Sequence, residues 1–445
     1  MENKINLKCV IPKCGKEYPI SSTKINCECG NLLDVNYKYN LSTDLKEIFY
    51  QRRNPQGSIF NESGVWRFRE LLNFCGIDTE DLEQCSKYLV SLDGAEGRQS
   101  KPYHMSKVAN FIGIENEGLM LQPEGYNPSG SFKDNGMSTA VTHAKMIGAK
   151  KIICASTGNT SASAGMYAAN ENMECDVYIP EGEIAPGKLS QAYQFGTQLI
   201  QINGNFDDAF LHSLEAANES GSYTVNSVNP FRIEGQKTIL YRVLEFLNWE
   251  VPDWIVYPGG ALGNTSSCGK AIIELYQYGW IKKIPRIAVI NASGANTLDI
   301  LYNGKFEETE LRWNDGNPDI ELIERYYTKI QRDDVRPKTK ATAIQIGKPA
   351  NLLKGLRALE FTNGVVLSVN DKEMLDGMSV VGLNGFDCEM ASGAVPAGIK
   401  KLLENDIIKN DDKIAGILTG RQKEPLLPIN YHNDGTNRFA RPPKA

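Results

Sequence analysis

A single lysine marks the point where a turn passes into a helix. Residues 127–136 read N-P-S-G-S-F-K-D-N-G, so Lys133 follows a turn-forming segment and precedes a stretch in which apolar residues have helical spacing. A lysine that lies in a crevice close to the positive ends of helices can lose its proton. It then acts as a nucleophile toward an aldehyde and as a base. This segment alone is better explained by a solvated surface lysine, because most lysines are exposed.

Two further segments are suited to binding an anion. The segment 156–161, S-T-G-N-T-S, offers hydroxyl, amide and backbone N–H groups at the start of a small-residue helix, which suits a carboxylate or a phosphate. An ordinary helix N-cap with a tight turn is the alternative. The segment 258–265, P-G-G-A-L-G-N-T, exposes backbone N–H groups ahead of a helix and can cradle a phosphate. It matches neither G-x-G-x-x-G nor the Walker pattern, so it is weak evidence for a nucleotide.

These groups together indicate one cofactor. Thr419 ends a short apolar run, I-L-T-G, and could either close a strand or offer one neutral hydrogen bond to a ring nitrogen. Pyridoxal 5′-phosphate requires a lysine for its aldehyde, a binding site for its phosphate and a hydrogen-bond partner for its pyridine nitrogen. The lysine, the two anion-binding segments and the hydroxyl supply such groups. The sequence therefore predicts a pyridoxal-phosphate site.

Four cysteines near the start of the chain have the order of a metal site. Two pairs, Cys9 with Cys14 and Cys27 with Cys29, are each followed by glycine, as in the knuckles of a zinc ribbon. Four thiolates can hold a tetrahedral zinc ion that folds a lobe too small to fold alone. The usual knuckle is C-x-x-C, whereas four residues separate the first pair here and one separates the second. A ribbon that has lost its metal is therefore the alternative.

Composition excludes several classes of protein. The chain has 445 residues and a net charge of −6, which indicates two or three domains and argues against a main role in binding nucleic acid or an anionic membrane. The N-terminus, M-E-N-K-I-N-L, lacks the apolar region of a secretion signal, and no run is long and apolar enough to span a membrane. We therefore expect a cytoplasmic protein without disulfides.

Short apolar runs alternate with amphipathic stretches from residue 118 onward. Strands are predicted at 118–121, 152–155, 177–179, 198–202, 223–225, 254–257 and 287–290, and helices at 206–219 and 233–248. This alternation predicts an α/β fold with mostly parallel sheets. In such folds ligands bind at the carboxyl ends of the strands, where the polar segments are therefore expected. The polar segment 303–340 is predicted to be an excursion from the core.

The motifs resemble those of the threonine synthases, which are fold-type II pyridoxal-phosphate enzymes. The matching segments are N-P-S-G-S-F-K-D-N-G-M, A-S-T-G-N-T-S-A-S, N-S-V-N-P-F-R-I-E-G-Q-K-T, V-Y-P-G-G-A-L-G-N and I-L-T-G-R-Q-K-E-P, in the order of the family. S-F-K-D alone would indicate only the wider fold-type II group. N-P-F-R-I-E-G-Q-K-T and the cysteine-bearing start are more particular to threonine synthases and their near relatives.

The resemblance assigns roles to the matching residues. It implies that Lys133 forms the Schiff base with the cofactor, that Asn159 hydrogen-bonds the cofactor's 3-oxygen and that Thr419 meets the pyridine nitrogen. A hydroxyl, unlike a carboxylate, does not enforce protonation of that nitrogen, which favours elimination and replacement over transamination. The resemblance assigns the cofactor phosphate to Gly259, Gly260, Ala261, Leu262, Gly263 and Asn264, the substrate carboxylate to Ser156, Thr157 and Thr160, and the substrate phosphate to Asn226, Ser227 and Arg232, with Lys188 adding to the charge.

The resemblance also implies a fold and a reaction. The fold is a two-domain α/β fold of the tryptophan synthase β type with parallel sheets flanked by helices. Its parts are a zinc-ribbon-like segment at 1–40, a large pyridoxal-phosphate-binding domain at 41–135 and 236–430, a small α/β domain at 136–235 and a C-terminal tail at 431–445. The reaction is a β,γ-replacement that converts O-phospho-L-homoserine and water into L-threonine and phosphate. A homodimer is the expected assembly.

Several alternatives stay open from the sequence. A cysteate synthase-like enzyme acting on O-phosphoserine and sulfite would need the same phosphate seat. A threonine or serine dehydratase has no substrate phosphate and thus no use for N-P-F-R. A binding module on an inactive enzyme scaffold would not need Lys133, Asn159 and Thr419 together. Arg232 could also be a structural residue at a helix start.

Overall fold

The chain divides into two compact units. The computed structural model describes residues 5–37, 45–53, 57–72, 74, 87–181, 186–204, 206–314 and 317–423. The first unit comprises residues 1–100 and 126–245, and the second comprises residues 101–125 and 246–445. In the ranges that the structure describes, every helix is too short or too polar to cross a lipid bilayer.

Strands and helices alternate along most of the chain. The strands are β1 (Ile5–Cys9), β2 (Glu17–Pro19), β3 (Leu33–Tyr37), β4 (Leu119–Pro123), β5 (Lys151–Ala155), β6 (Glu174–Pro180), β7 (Gln198–Ile202), β8 (Tyr223–Thr224), β9 (Trp254–Pro258), β10 (Arg286–Ala292), β11 (Trp313–Asn314), β12 (Asn317–Pro318), β13 (Val365–Val369) and β14 (Ile414–Leu418). The α-helices are α1 (Leu45–Arg52), α2 (Ile59–Glu62), α3 (Ser106–Ile112), α4 (Lys133–Met146), α5 (Asn159–Asn170), α6 (Pro186–Gln194), α7 (Phe206–Ser220), α8 (Pro230–Phe246), α9 (Gly263–Gln277), α10 (Thr297–Tyr302), α11 (Ile320–Arg332), α12 (Leu352–Phe361), α13 (Asp371–Leu383) and α14 (Met390–Glu404).

The first unit contains a parallel sheet with the strand order β7-β6-β5-β8. The apolar residues of β5, K-I-I-C-A, are buried, as expected of a parallel strand that is covered on both faces. The carboxyl ends of parallel strands meet at one edge, so the segments that follow β5 and β8 are neighbours. An antiparallel sheet with the order β2-β1-β3 forms the N-terminal lobe, residues 5–37, which carries the four cysteines.

Helices α4 and α8 approach each other through their backbones. A Cβ atom on Gly235 would lie 1.9 Å from the carbonyl oxygen of Asn135, and one on Gly136 would lie 2.7 Å from the carbonyl oxygen of Arg232. A larger residue at either position would push the helices apart, because real side chains do not tolerate such short distances. The two glycines therefore hold the start of α8 against the start of α4, which begins with Lys133.

His143 and Glu234 attach the N-terminal lobe to these helices. The Nε2 atom of His143 donates to the carbonyl oxygen of Ile20 at 2.8 Å, and its Nδ1 atom accepts from the hydroxyl of Tyr223 at 2.7 Å. Burial lowers the pKa of His143 to about 4, so the ring is neutral at neutral pH. The Tyr37 hydroxyl donates to Oε2 of Glu234 at 2.8 Å. The bonds made by Ile20 and Tyr37 each join the lobe to a helix of the candidate site.

The second unit is built around a parallel sheet with the order β13-β10-β9-β14-β4. Its central strands are near-continuous apolar runs, W-I-V-Y-P in β9 and I-A-G-I-L in β14, and both are buried along their whole length. Full burial of each such aliphatic side chain contributes about 1.5–3 kcal/mol. Ile414 pairs with Trp254, a register that brings Pro258 and Leu418, the last residues of β9 and β14, to the same edge of the sheet.

Tertiary contacts decide which unit two segments of the chain join, and the predicted domain boundaries stay a prediction. Residues 57–72 belong to the first unit, where Nε1 of Trp66 donates to Oγ of Ser138 at 2.8 Å. Residues 101–125 belong to the second unit, because they include β4, which pairs with β14 at the sheet edge. Tertiary hydrogen bonds of this kind cannot be located from the sequence pattern.

The segment predicted to be a polar excursion, 303–340, folds in part. It contains the short hairpin of β11 and β12 and the helix α11, which is capped by Asp319 through a bond from the N–H of Leu322 to Oδ1 at 2.9 Å. The C-terminal tail predicted at 431–445 lies outside the described residues.

Candidate active site

Lys133 is the first residue of α4 and is half-buried. The preceding turn is closed by a bond from the N–H of Gly130 to the carbonyl oxygen of Asn127 at 2.8 Å, and Gly130 adopts a φ of +86° that favours glycine. The Nζ atom of Lys133 lies 4.3 Å from the centre of the Phe132 ring. The structure thus places this lysine at a turn-to-helix junction, as predicted, and against an aromatic face.

Asp134 fixes the segment around Lys133 and was not singled out from the sequence. Its buried carboxylate accepts three hydrogen bonds: from the N–H of Ser129 at 2.7 Å, from the hydroxyl of Ser129 at 2.5 Å and from the hydroxyl of Ser163 at 2.6 Å. Ser163 belongs to α5, so one carboxylate ties the turn, α4 and α5 together. A signal was present in the sequence, because an acidic residue directly follows the candidate lysine and lies five residues after a serine.

The segment after β5 forms the start of α5. Asn159 is buried and is the first residue of the helix, whereas Ser156, Thr157 and Thr160 are half-buried. The Oγ atom of Ser156 accepts from the N–H of Gly158 at 3.1 Å, which shapes the turn. These residues lie together at a strand end beside a helix N-terminus, a position suited to an anion. The ligands predicted for them stay a prediction.

Asn226 follows β8 and continues the pairing of β8 with β5. Its Oδ1 atom accepts from the N–H of Ala155 at 3.0 Å, and its Nδ2 atom donates to the carbonyl oxygen of Ala155 at 2.9 Å. The amide therefore has a structural role that the sequence did not reveal. The second N–H of its Nδ2 group makes no hydrogen bond among the described residues, while the substrate phosphate predicted for Asn226 stays a prediction. Ser227 follows directly and is half-buried.

Arg232 is a fully buried cation in the first turn of α8. Its Nη1 atom donates to the carbonyl oxygen of Val225 at 3.1 Å, whereas Nε and Nη2 have no hydrogen-bond partner among the described residues. Burial lowers the pKa of Arg232 to about 10, while Cys154 and Asp134 oppose this effect, so the guanidinium stays charged at neutral pH. A buried donor without a partner costs about 1–3 kcal/mol. Two donor atoms of Arg232 are therefore suited to an anion, and the substrate phosphate predicted for this residue stays a prediction.

The loop after β9 in the second unit turns sharply into α9. Gly259 has no room for a side chain, because a Cβ atom would lie 2.5 Å from Nδ2 of Asn291, and Leu262 adopts a left-handed φ of 62°. The first N–H groups of a helix are available to an anion. At the same place Oγ1 of Thr265 is buried and has no hydrogen-bond partner in the part of the chain that the structure describes, so its hydroxyl can donate to a phosphate. This geometry suits the predicted phosphate nest.

Thr419 follows β14 in the second unit and belongs to a buried hydrogen-bond network. Its Oγ1 atom donates to Oε1 of Glu389 at 2.9 Å and lies 3.1 Å from Oγ of Ser392. Its N–H donates to the same serine oxygen at 2.8 Å. Glu389 precedes α14 and Ser392 lies in its first turn, so this network ties the strand end to the helix. Neither partner was found from the sequence, because both are far from Thr419 along the chain.

The four cysteines of the N-terminal lobe converge. Their Sγ atoms all lie within 4.8 Å of one another, with 3.5 Å between Cys9 and Cys29 and 3.7 Å between Cys14 and Cys27. The close pairs are therefore not the pairs that are neighbours in the sequence. The unusual spacing is compatible with a four-thiol cluster because two separate turns bring the thiols together.

The predicted site residues are distributed over both units. The first unit carries Lys133, Asn159 and Arg232, and the second carries the loop 259–264 and Thr419. Lys188 lies in α6, but its side chain lies outside the described part of the structure, so the charge predicted for it stays a prediction.

Comparisons with known proteins agree with the sequence motifs. The family described as pyridoxal-phosphate dependent enzyme matches residues 102–420. A threonine synthase of Methanocaldococcus jannaschii is 36% identical over 422 residues, which cover 94% of this chain and 93% of that protein. A threonine synthase of Methanosarcina acetivorans is 32% identical over 435 residues, which cover 97% of this chain and 95% of that protein.

A solved structure supports the fold. The processed form of threonine deaminase isoform 2 from Solanum lycopersicum superposes with a TM-score of 0.58 at 16% identity, covering 81% of this chain and 88% of that one. At this identity the likeness shows the fold alone, and the predicted fold-type II α/β architecture is confirmed. The sequence relatives are more informative about family. The chain belongs to the threonine synthase family of pyridoxal-phosphate-dependent lyases.

Proposed function

We propose that this chain converts O-phospho-L-homoserine and water into L-threonine and phosphate, with pyridoxal 5′-phosphate bound through Lys133. The names of its relatives support threonine as the product. The observation that supports a phosphorylated substrate is the buried Arg232, whose Nε and Nη2 atoms have no partner among the described residues. A guanidinium binds phosphate through two parallel hydrogen bonds. A substrate without phosphate would leave these two buried donor atoms without a hydrogen-bond partner.

The residues of each unit fit the cofactor. In the second unit, the Thr265 hydroxyl and the first N–H groups of α9 suit the phosphate, and Thr419 suits the ring nitrogen. Both lie at one sheet edge because β9 and β14 are adjacent strands. In the first unit, Lys133 suits the aldehyde and Asn159 the 3-oxygen. When bound, the cofactor withdraws electrons from the carbon atoms of the substrate.

Lys133 is the proposed carrier of protons. Its amine removes the proton from Cα of the substrate and returns protons at the neighbouring carbons, as a positioned general base and acid. The seat for the leaving phosphate stabilises the negative charge that builds up on that group as it departs. The substrate carboxylate is assigned to Ser156, Thr157 and Thr160, and the phosphate to Asn226, Ser227 and Arg232.

The close contact between α4 and α8 supports this division of roles. Gly136 and Gly235 allow the two helix backbones to touch, so the helix that begins with Lys133 is held directly against the helix whose first turn carries Arg232. Because the two helices pack directly against each other, the distance between Lys133 and Arg232 stays constant. Proton transfer that is coupled to departure of a leaving group requires such a fixed arrangement.

A product assay tests the proposal. Protein loaded with pyridoxal phosphate is offered O-phosphohomoserine alone, O-phosphoserine with sulfite, or threonine. We expect phosphate and threonine in equal amounts from the first substrate, with no turnover by Lys133→Ala and full turnover by the control Lys150→Ala, which changes an exposed lysine of the same unit. Turnover of the second mixture alone would support the cysteate synthase-like alternative, and deamination of threonine alone would support a dehydratase.

We also propose that Cys9, Cys14, Cys27 and Cys29 bind a structural zinc ion. A tetrahedral zinc with Zn–S distances of about 2.3 Å places its four sulfur atoms about 3.8 Å apart. The observed Sγ separations of 3.5 and 3.7 Å are close to this value. The N-terminal lobe has only three short strands, so the metal would supply much of its folding free energy. The cytoplasmic location and the homodimer stay predictions from the sequence.

Metal analysis tests the zinc site. We expect one zinc ion per chain in the purified protein and in Cys268→Ala, which changes a buried thiol of the second unit. Cys14→Ser should lose the metal and unfold the lobe, which proteolysis would detect. A protein that contains no metal after purification in zinc-containing buffer would contradict the proposal and favour a ribbon without metal.

A further inference from the structure

The network around Thr419 sets the direction in which its hydroxyl donates. A carboxylate only accepts, so the proton of Thr419 Oγ1 is directed toward Oε1 of Glu389 at 2.9 Å. Oγ of Ser392 accepts the N–H of Thr419 at 2.8 Å, and its own proton is then available to Thr419 Oγ1 at 3.1 Å. This arrangement leaves Thr419 Oγ1 with one lone pair and no proton for a ligand.

Thr419 lies where a cofactor ring is expected. β14 is flanked by β9, and the residue after β14 is level with the start of the glycine loop that follows β9. Adjacent strands are about 4.8 Å apart, so a ring whose phosphate lies in the loop reaches Thr419 within the second unit. Thr419 is 6% exposed and Glu389 is 7% exposed, which makes their hydrogen bond stronger than one in water.

We propose that Glu389 is a positioning residue that makes Thr419 a hydrogen-bond acceptor and thereby favours the protonated pyridine nitrogen of bound pyridoxal phosphate. An unprotonated ring nitrogen is itself an acceptor, and two facing acceptors repel each other. A protonated nitrogen donates to the free lone pair of Thr419. The charge of the Glu389 carboxylate, one hydroxyl away, favours the same state.

This inference rests on the proposed cofactor and changes the expectation drawn from Thr419 alone. A lone hydroxyl can donate or accept and so leaves the protonation of the ring nitrogen open. A hydroxyl whose proton is taken by a carboxylate can only accept. Through its hydrogen bond with Thr419, Glu389 therefore favours the protonated ring nitrogen as a carboxylate in direct contact would, although the residue in contact with the ring is the neutral Thr419.

Nitrogen NMR of the loaded protein tests the proposal. The protein is reconstituted with pyridoxal phosphate labelled with ¹⁵N in the ring, and no substrate is added. In the unmodified protein we expect the upfield shift of a protonated pyridine nitrogen. In Glu389→Gln, the new amide group can donate to Thr419 Oγ1, and the threonine hydroxyl can then donate to the ring nitrogen. We therefore expect the ¹⁵N resonance to move downfield, to the position of an unprotonated nitrogen. Ser392→Ala leaves Glu389 in place and should keep the protonated signal.

The outcomes separate this inference from the proposed function. An unprotonated ring nitrogen in the unmodified protein overturns the inference, and so does a signal unchanged by Glu389→Gln. If Glu389→Gln does not fold, Thr419→Val serves instead, since it removes the acceptor and should also give the unprotonated position. Failure of the proposed cofactor would be seen differently, as absence of bound pyridoxal phosphate or a visible absorbance that Lys133→Ala leaves unaltered.

Discussion

Each unit contains a candidate anion-binding site, and the two sites use different kinds of chemical group. In the first unit the seat is a charged side chain, Arg232, which is fully buried and has two donor atoms without partners in the described chain. In the second unit the seat is the loop 259–265, which offers backbone N–H groups and the neutral hydroxyl of Thr265. Both follow the carboxyl end of a parallel strand, so topology alone does not account for the difference.

The difference follows from what each seat is proposed to hold. A cofactor phosphate remains bound through every turnover with constant charge, and dipoles that need no counter-ion suffice to hold it. A substrate phosphate gains negative charge while it departs, and a fixed full charge stabilises that change more than dipoles do. Without a bound anion, a buried charged side chain lowers the stability of the protein more than buried neutral groups do.

Loss of the charged seat should have the largest effect. Arg232→Met keeps the length of the side chain but removes two charge-assisted hydrogen bonds, each contributing about 1.5–3 kcal/mol. We expect kcat/KM for O-phosphohomoserine to fall by roughly 10² to 10⁴-fold, with unchanged affinity for pyridoxal phosphate. Steady-state kinetics and cofactor titration measure the two quantities.

Arg232→Lys is the matched control. It keeps the charge but not the planar fork, so its activity should lie between those of the unmodified protein and Arg232→Met. If Arg232→Met retains full activity and is instead strongly destabilised, Arg232 has the structural helix-start role, and the contrast between the two seats disappears.

Acid should weaken the first unit selectively. The pKa of His143 is about 4 in the folded chain against 6.5 for an ordinary histidine, so between these values the unfolded chain binds more protons and stability falls as the pH falls. The contribution of His143 to the free energy of unfolding is nearly complete at pH 7 and should be smaller by roughly 2.5 kcal/mol at pH 4.5. Hydrogen exchange at pH 7 and 4.5 should show lost protection in β5 and β8 and retained protection in β9 and β14.

Two variants separate this effect from general acid denaturation. His143→Gln removes the titrating ring and should flatten the pH dependence, even if the protein is less stable at pH 7. His212→Gln changes an exposed histidine of the same unit and should leave the pH dependence as it is. Equal loss of protection in both units of the unmodified protein would count against a local effect of His143.

Removal of one neutral group from the second seat should have the smallest effect. Thr265→Val removes a hydroxyl that has no partner among the described residues, so the protein without cofactor should change in stability by less than about 0.5 kcal/mol. Its affinity for pyridoxal phosphate should fall by roughly 10- to 100-fold, the value of one hydrogen bond to a charged group. Fluorescence titration of the apoprotein measures the affinity.

Ser266, the neighbour of Thr265, should affect the stability of the apoprotein more than its affinity for the cofactor. The Oγ atom of Ser266 donates to the carbonyl oxygen of Leu262 at 2.6 Å. Ser266→Ala should therefore destabilise the apoprotein by about 1 kcal/mol, with a smaller change in cofactor affinity than Thr265→Val. Equal cofactor affinity of Thr265→Val and the unmodified protein would exclude the Thr265 hydroxyl from the phosphate seat.

Much of the sheet architecture is encoded locally and was predictable. The apolar runs predicted as strands at 198–202 and 254–257 are observed as Gln198–Ile202 and Trp254–Pro258, and the helix predicted at 206–219 is Phe206–Ser220. Buried parallel strands and amphipathic helices produce these patterns in any context. The positions of Lys133 at a helix start and of Thr419 at a strand end followed from the same local signals.

The sequence by itself determined the chemical groups of this protein: a lysine after a tight turn, a glycine loop before a helix, four cysteines, and the motifs that resemble the threonine synthases. Only the tertiary structure decided the state of those groups. It buried Arg232 with two donors open, joined Asp134 to Ser163, and turned the hydroxyl of Thr419 toward Glu389. Burial and hydrogen-bond direction depend on residues that are distant along the chain, so no local pattern can specify them.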